Sequence, residues 1–254
     1  MDQSPNRTKP HSIATSSVST QKGTYRYFRA DNEEGEFQPT DIIESFTIEA
    51  CRITDTCVIS SKRDARKSPM PGILRVKATL GGMHINGPLH GFSLSWESNT
   101  PAHSNRSSYR FEKDQCEIKT ESSAGETLVR QLALPKPTVA LPLMRVFLGP
   151  VIHRITHTLK GESTVLVPNI ENMNSSNSFS PILSLRKASL LETGSTLTTG
   201  QTAWTVDTYS FIGGNYRETS RFWIDSASNL LVRYEFTHPA DQSIWRAELR
   251  EFSA

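Results

Sequence analysis

Residues 221–236 read RFWIDSASNLLVRYEF. Two apolar-rich runs, Arg221–Asp225 and Leu230–Phe236, flank the polar stretch Ser226-Ala227-Ser228-Asn229. In the second run Leu230, Val232, Tyr234 and Phe236 alternate with Leu231, Arg233 and Glu235. Alternation sends successive side chains to opposite faces of a strand, and a short polar cluster between two such runs is a turn. The stretch therefore predicts a β-hairpin with one face for a core and one mostly for water.

The same period of two recurs along the chain. Phe46, Ile48 and Ala50 alternate with Thr47, Glu49 and Cys51. His90, Phe92, Leu94 and Trp96 share one expected face, as do Trp204, Val206 and Thr208, and Trp245, Ala247 and Leu249. Half-buried strands of this kind belong to antiparallel sheets, because parallel strands covered on both faces are apolar throughout. Gly81-Gly82, Asn86-Gly87-Pro88 and Gly213-Gly214-Asn215 supply turns between them. One stretch differs. Residues 139–154, VALPLMRVFLGPVIHR, predict one or two short helices between about 139 and 158, with Pro142 suited to a first turn and Gly149-Pro150 to a break.

The expected fold is all-β and mainly antiparallel: a curved open barrel or β-roll built from two related halves, with a short helical plug between them. The halves span about 72–133 and 181–252. Ile73 corresponds to Ile182, Trp96 to Trp204, Tyr109 to Tyr216, Ile118 to Ile224 and Leu128 to Leu231, with the offset falling from 109 to 103. Residues 24–254 make a single domain. Residues 1–23, rich in Ser, Thr and Lys and poor in aromatics, predict a disordered tail.

Composition narrows the function classes. The 28 basic and 26 acidic residues among 254 leave a net charge of +2, which favours no nucleic-acid partner. Lys62–Lys67 is a local basic cluster, read as a solvated loop. Three cysteines, Cys51, Cys57 and Cys116, are too few for a disulfide framework and fit no zinc spacing. The N-terminus has no continuous apolar run, and no stretch approaches the ~20 residues of a membrane helix. A cytoplasmic location is expected on that ground. Asn-x-Ser/Thr matches at Asn6, Asn105 and Asn174 then carry no weight.

The hairpin FWIDSASNLLVRYEF resembles the aromatic–Asp–turn–Leu–x–Arg hairpin of lipoprotein-carrier-like (LolA-like) open β-barrels, over residues 181–252. The resemblance implies a half-pipe sheet with a helical plug over an apolar cavity. It names no ligand.

No nucleophile elbow, phosphate loop, dinucleotide fingerprint or H-E-x-x-H zinc motif occurs, and no cofactor or metal is expected. The preferred function is binding of a small hydrophobic or amphipathic molecule in the cavity. Trp96, Trp204 and Trp223 are candidate lining residues, with core packing the competing reading for each. Tyr216 and Arg217, after the Gly-Gly turn, are candidates for orienting a polar end. The alternative is a cofactor-independent isomerase, cyclase or lyase using the same pocket. Its acid and base would be His90, expected on an apolar face, and the strand pair Asp207 and Tyr209. His153 and His157 stand one helical turn apart without an evident third ligand, and Lys136 sits in a proline-flanked loop unsuited to a Schiff base. A structural module with a free sheet edge is the third reading.

Overall fold

The computed structural model describes residues 18–32, 34–68, 71–98, 104–121, 125–171 and 178–253. The first arm runs through β1 (Val18–Ala30), β2 (Gln38–Cys51), β3 (Thr56–Asp64), β4 (Gly72–Gly81), β5 (Leu89–Ser98), β6 (Ser104–Glu112), β7 (Gln115–Glu121) and β8 (Thr127–Ala133). A connector follows, holding β9 (Thr138–Ala140), a 3-10 turn (Arg145–Phe147) and α1 (Leu148–Thr158). The second arm is β10 (Glu162–Pro168), β11 (Pro181–Thr199), β12 (Thr202–Ile212), β13 (Arg221–Asp225), β14 (Leu231–Thr237) and β15 (Ile244–Ser253).

All fifteen strands form one sheet, in the order β8-β7-β6-β5-β4-β3-β2-β1-β15-β14-β13-β12-β11-β10-β9. Each arm is a meander, and the arms meet where the first strand pairs with the last, Tyr27 opposite Ala247. Every pairing is antiparallel except β9 on β10. The sheet is not closed: β8 and β9 are free edges. Only residues 134–137 join those edges, so they lie at most about 18 Å apart at the junction. The result is an open, curled all-β sheet with one short α-helix.

The opening hairpin forms as read. Arg221 faces Glu235 and Phe222 faces Tyr234. Its turn is held by Asp225, whose Oδ2 accepts hydrogen bonds from the Ser228 amide (2.9 Å) and hydroxyl (2.6 Å). Asn229 takes the left-handed backbone there, at φ 60°. Strict alternation fails at one residue. Ile224 pairs with Leu231 and Trp223 with Arg233, so Val232 is the extra residue of a β-bulge. Leu230, Leu231 and Val232 are consequently all buried.

A second bulge corrects a candidate site. Thr79 pairs with Gly91 and Leu80 with Leu89, leaving His90 unpaired. It is exposed and does not share the face of Phe92 and Leu94, both buried.

Residues 18–23, expected to belong to a disordered tail, pair with β2; residues 1–17 lie outside the described residues. Trp96 and Trp204 fall on β5 and β12, the second strands of their respective halves. Other paired positions diverge. Tyr109 is on β6 but Tyr216 is in a loop. Leu128 and Val129 are exposed on edge strand β8, whereas Leu231 and Val232 are buried.

Around the connector the inner face is filled, while a hollow of about 370 Å³ opens at one end beside Ile48, Ala50, Ile85 and Leu230. Phe92, Leu94 and Trp204 belong to one continuous buried cluster with Met144, Val146, Phe147 and Ile152 of the connector. The plug occupies the space that the sequence reading reserved for a ligand.

Candidate functional site

The connector is apolar enough to be driven into the sheet, and Met144, Val146, Leu148, Ile152 and Ile155 have no exposed surface. Pro150 is accommodated because the first helical turn has no intrahelical use for its missing N–H. Gly149 lets the helix touch the β13–β14 hairpin. A Cβ there would stand 2.1 Å from the Asn229 carbonyl oxygen.

One charged cluster fixes the start of the connector. Glu44 shares the face of Phe46, Ile48 and Ala50 and has no exposed surface. Its Oε2 accepts from Tyr27 Oη (2.8 Å) and from Arg63 Nε (3.0 Å) and Nη2 (2.9 Å). Its Oε1 accepts from the Arg145 amide. Arg63 also donates to the Leu143 carbonyl at 3.0 Å, where the chain adopts φ 63°. The Arg145 side chain donates to Tyr27 Oη (3.1 Å) and Tyr216 Oη (3.2 Å), its guanidinium 4.6 Å from the Tyr234 ring centroid. Burial pushes the Tyr27 phenol up to about 12 despite the two arginines, and pushes Tyr234 up as well. This arrangement is a clamp: its donors and acceptors are spent on one another and on the backbone of residues 143–145.

Beside the clamp, α1 and the β9 segment leave a cleft against the first arm, of about 220 Å³. Leu80, Leu89, Phe111, Phe147 and Val151 line it. It lies at the seam where the sheet fails to close, since Leu134 and Val139 also border it. Lys113 and Arg154 stand at its rim, both exposed. The adjacent carboxylates are engaged elsewhere: Glu112 with Arg110 at 3.0 Å and Asp114 with Lys136 at 2.5 Å. Among the described residues no carboxylate lies within 4.0 Å of Lys113 or Arg154. An apolar slot with two uncompensated cations suits a molecule with an apolar body and an anionic end.

The residues singled out from the sequence lie elsewhere. Trp204 Nε1 donates to Thr199 Oγ1 at 3.0 Å, and that hydroxyl donates to the Leu249 carbonyl, tying the β11–β12 turn to β15. Trp96 packs over Gly72, where a Cβ would be 2.2 Å from its ring. Trp223 is on the outer face, with the Arg233 guanidinium 5.8 Å from its ring. Tyr216 is an aromatic hub against Phe211, Phe222 and Phe236, and Arg217 is exposed beyond it. Asp207 Oδ1 accepts from the Gly194 amide at 3.0 Å.

Tyr209 is brought to a partner that its strand does not supply: its hydroxyl is 3.1 Å from His157 Nε2 on α1. The His153 and His157 rings lie against each other, tilted by 38°, with centroids 4.5 Å apart. Burial and the neighbouring His157 hold His153 below the ordinary imidazole value, against the opposing pull of Asp207. Burial, then Asp207, raises Tyr209. These side chains pin α1 to β12, and His90 is not among them. Among the described residues no group of three or more metal-ligating side chains forms.

Glu44, Arg145, Lys113 and Arg154 are missing from the sequence reading. The first two had a signal. Glu44 interrupts an apolar alternation, and Arg145 is the lone charge in the run from Val139 to Ile152. The rim cations had none, because an exposed Lys or Arg is unremarkable until a cleft opens beside it.

No protein-family model matches this chain, and no curated protein matches it. Solved structures similar to it include a putative lipoprotein from Parabacteroides distasonis ATCC 8503, at 10% identity over 92% of this chain and 94% of that chain, TM-score 0.32. Another is a putative exported protein with a YmcC-like fold from Bacteroides fragilis NCTC 9343, at 8% identity over 92% and 95%, TM-score 0.28. Likenesses at these scores carry no argument about activity. The cytoplasmic location expected from the N-terminus is corrected: the similar structures are of proteins named as a lipoprotein and an exported protein, and no location is assigned here. Among the described residues no helix is long and apolar enough to cross a membrane. The LolA-like family itself has no family-model match, and what stands is the coarser statement, an open, curved and mainly antiparallel sheet.

Proposed function

We propose that this chain binds a small amphipathic anion, with the apolar body in the cleft between α1 and the first arm and the charged end at Lys113 and Arg154. The observation that carries the reading is the pairing of an apolar lining with two rim cations that have no carboxylate partner. Burial of the apolar body supplies affinity at about 25 cal/mol per Å², and the cations set which end faces water. The cleft is smaller than the ~300–1,000 Å³ of sites for drug-sized molecules. A longer chain therefore requires α1 to shift outward at the seam. The hairpin's resemblance to lipoprotein-carrier-like barrels agrees with a plug-and-sheet site, but the site lies at the plug's flank rather than beneath it.

The test is titration calorimetry with octanoate, dodecanoate and the matching alcohols. Carboxylates bind with one-to-one stoichiometry, and affinity rises with chain length. Lys113→Gln with Arg154→Gln weakens the carboxylates by about 3- to 10-fold and leaves the alcohols unchanged. Leu89→Trp, which fills the slot, abolishes both. Saturable binding to none of these probes, or binding indifferent to all three substitutions, would sink the proposal. The His153, His157, Tyr209 group borders neither the cleft nor the grooves described below, so the acid–base alternative is not favoured.

A further inference from the structure

Among the described residues a second cavity, of about 630 Å³, lies on the opposite, outer face of the sheet. It is a groove running across the strands between two ridges of side chains. In the first ridge Lys22, Thr47, Ser60 and Lys77 stand in register on β1 to β4. In the second, Thr24, Ser45, Lys62 and Arg75 do the same. The floor is the backbone of the row between them, Gly23, Phe46, Ser61 and Val76, whose side chains point to the core. A separate hollow of about 350 Å³ continues the same groove. Lys77 pairs with Ser93, then Ser108 and Lys119, while Arg75 pairs with Ser95, then Arg106 and Glu121.

The groove thus crosses β15 and β1 to β7, about 34 Å at ~4.8 Å per strand, with ridges ~6.8 Å apart. Beyond its hydroxyls it carries six cations against two carboxylates, Glu121 and Glu251. Arg75, Lys62 and Lys119 are partly answered by Glu97, Asp64 and Glu121. Among the described residues Lys22 and Lys77 have no carboxylate within 4.0 Å, while Arg106 faces Glu121 in register and, after Lys119, helps hold that carboxyl below its ordinary value. Lys22 and Lys77 stand three strands apart, about 14 Å, and Lys77 and Lys119 the same.

We propose that this groove binds an extended acidic polysaccharide, a hydroxyl-bearing chain with carboxylate or sulfate groups, lying across the strands. Ridges this close together keep a duplex from entering between them. Ser and Thr hydroxyls both donate and accept, which matches sugar hydroxyls, while the cations match the acid groups. Neither ridge holds an aromatic side chain on which bases would stack, which disfavours single-stranded nucleic acid. An extended peptide would find the floor's backbone groups already used in the ladder. The site is independent of the cleft, on the other face of the sheet.

Affinity electrophoresis of the full chain in gels containing polygalacturonate, dextran sulfate or neutral dextran tests it. The acidic glycans retard the protein, progressively less as salt rises, and neutral dextran does not. The triple variant Lys22→Gln, Lys77→Gln, Arg106→Gln, altered only at exposed outer positions, loses affinity by about tenfold or more. The matched control Arg52→Gln, Lys160→Gln, Lys187→Gln, with the same charge change away from the groove, binds as the wild type does. No retardation by either acidic glycan overturns the proposal. So does equal retention of both triple variants, or tighter binding to oligo-dT or to phosphatidylglycerol vesicles than to the glycans. Carboxylate binding in the cleft is unaffected in the groove variant, so the two sites fail or stand separately.

Discussion

Arg63 directs two donors, Nε at 3.0 Å and Nη2 at 2.9 Å, onto a single oxygen of Glu44, a carboxylate with no exposed surface. Their strands are neighbours, and Glu44 and Arg63 are directly opposed in register. The pair faces inward, where the same carboxylate and the same arginine also hold the backbone of residues 143 and 145.

Removing one partner strands a buried charge. Glu44→Gln is expected to cost roughly 3–5 kcal/mol, read as a lower urea midpoint. The double variant Glu44→Leu, Arg63→Met removes both charges and is expected to cost less than either single change. If Glu44→Gln melts like the wild type, the clamp does not anchor the plug.

Gly149 is the point where helix and hairpin touch. Gly149→Ala places a methyl 2.1 Å from the Asn229 oxygen and is expected to destabilise by about 1–3 kcal/mol, with faster amide exchange in α1. Gly194→Ala, where a Cβ meets open space at φ 72°, should cost about 1 kcal/mol from backbone strain alone. Equal melting of the two variants would contradict the contact argument.

Alkaline pH should attack the clamp. Tyr27 titrates near 10 when unfolded and near 12 when folded. Between those values the unfolded chain has lost more protons, so stability falls as pH rises. The loss from this residue is of the order of 3 kcal/mol across the window. Tyr27→Phe removes that part of the slope, and denaturant melts at pH 9, 10 and 11 measure it.

Acid acts through the helix. His153 is held below its ordinary value by burial and His157, so it contributes full stability at neutral pH. As pH falls below about 6.5, the unfolded chain gains the proton first and stability drops. His153→Gln flattens the melting temperature between pH 7 and 5. An unchanged slope would contradict this assignment of the acid response to His153.

Much of the architecture was written in the period-two pattern. Alternation at Phe46, Ile48 and Ala50 marked the core face of β2, and the polar turn at 226–229 marked a hairpin, because side-chain direction and turn chemistry are local properties of the backbone. The apolar run 139–152, interrupted only by Arg145, likewise announced the plug. Single-residue bulges escaped the pattern. One at His90 exposed a residue counted as buried, and one at Val232 buried both faces of a strand, since an extra residue inverts parity without leaving a trace in composition.

The tertiary structure alone decided the rest. It paired β1 with β15, whose facing residues are 231 positions apart in sequence at Lys22 and 220 apart at Tyr27. It also placed Glu44 under Arg145 and set Lys113 beside Arg154 at the seam. A single chain's alternation says which way each side chain points. It does not say which strand lies next to it, and a clamp, a cleft and a groove all depend on that neighbour.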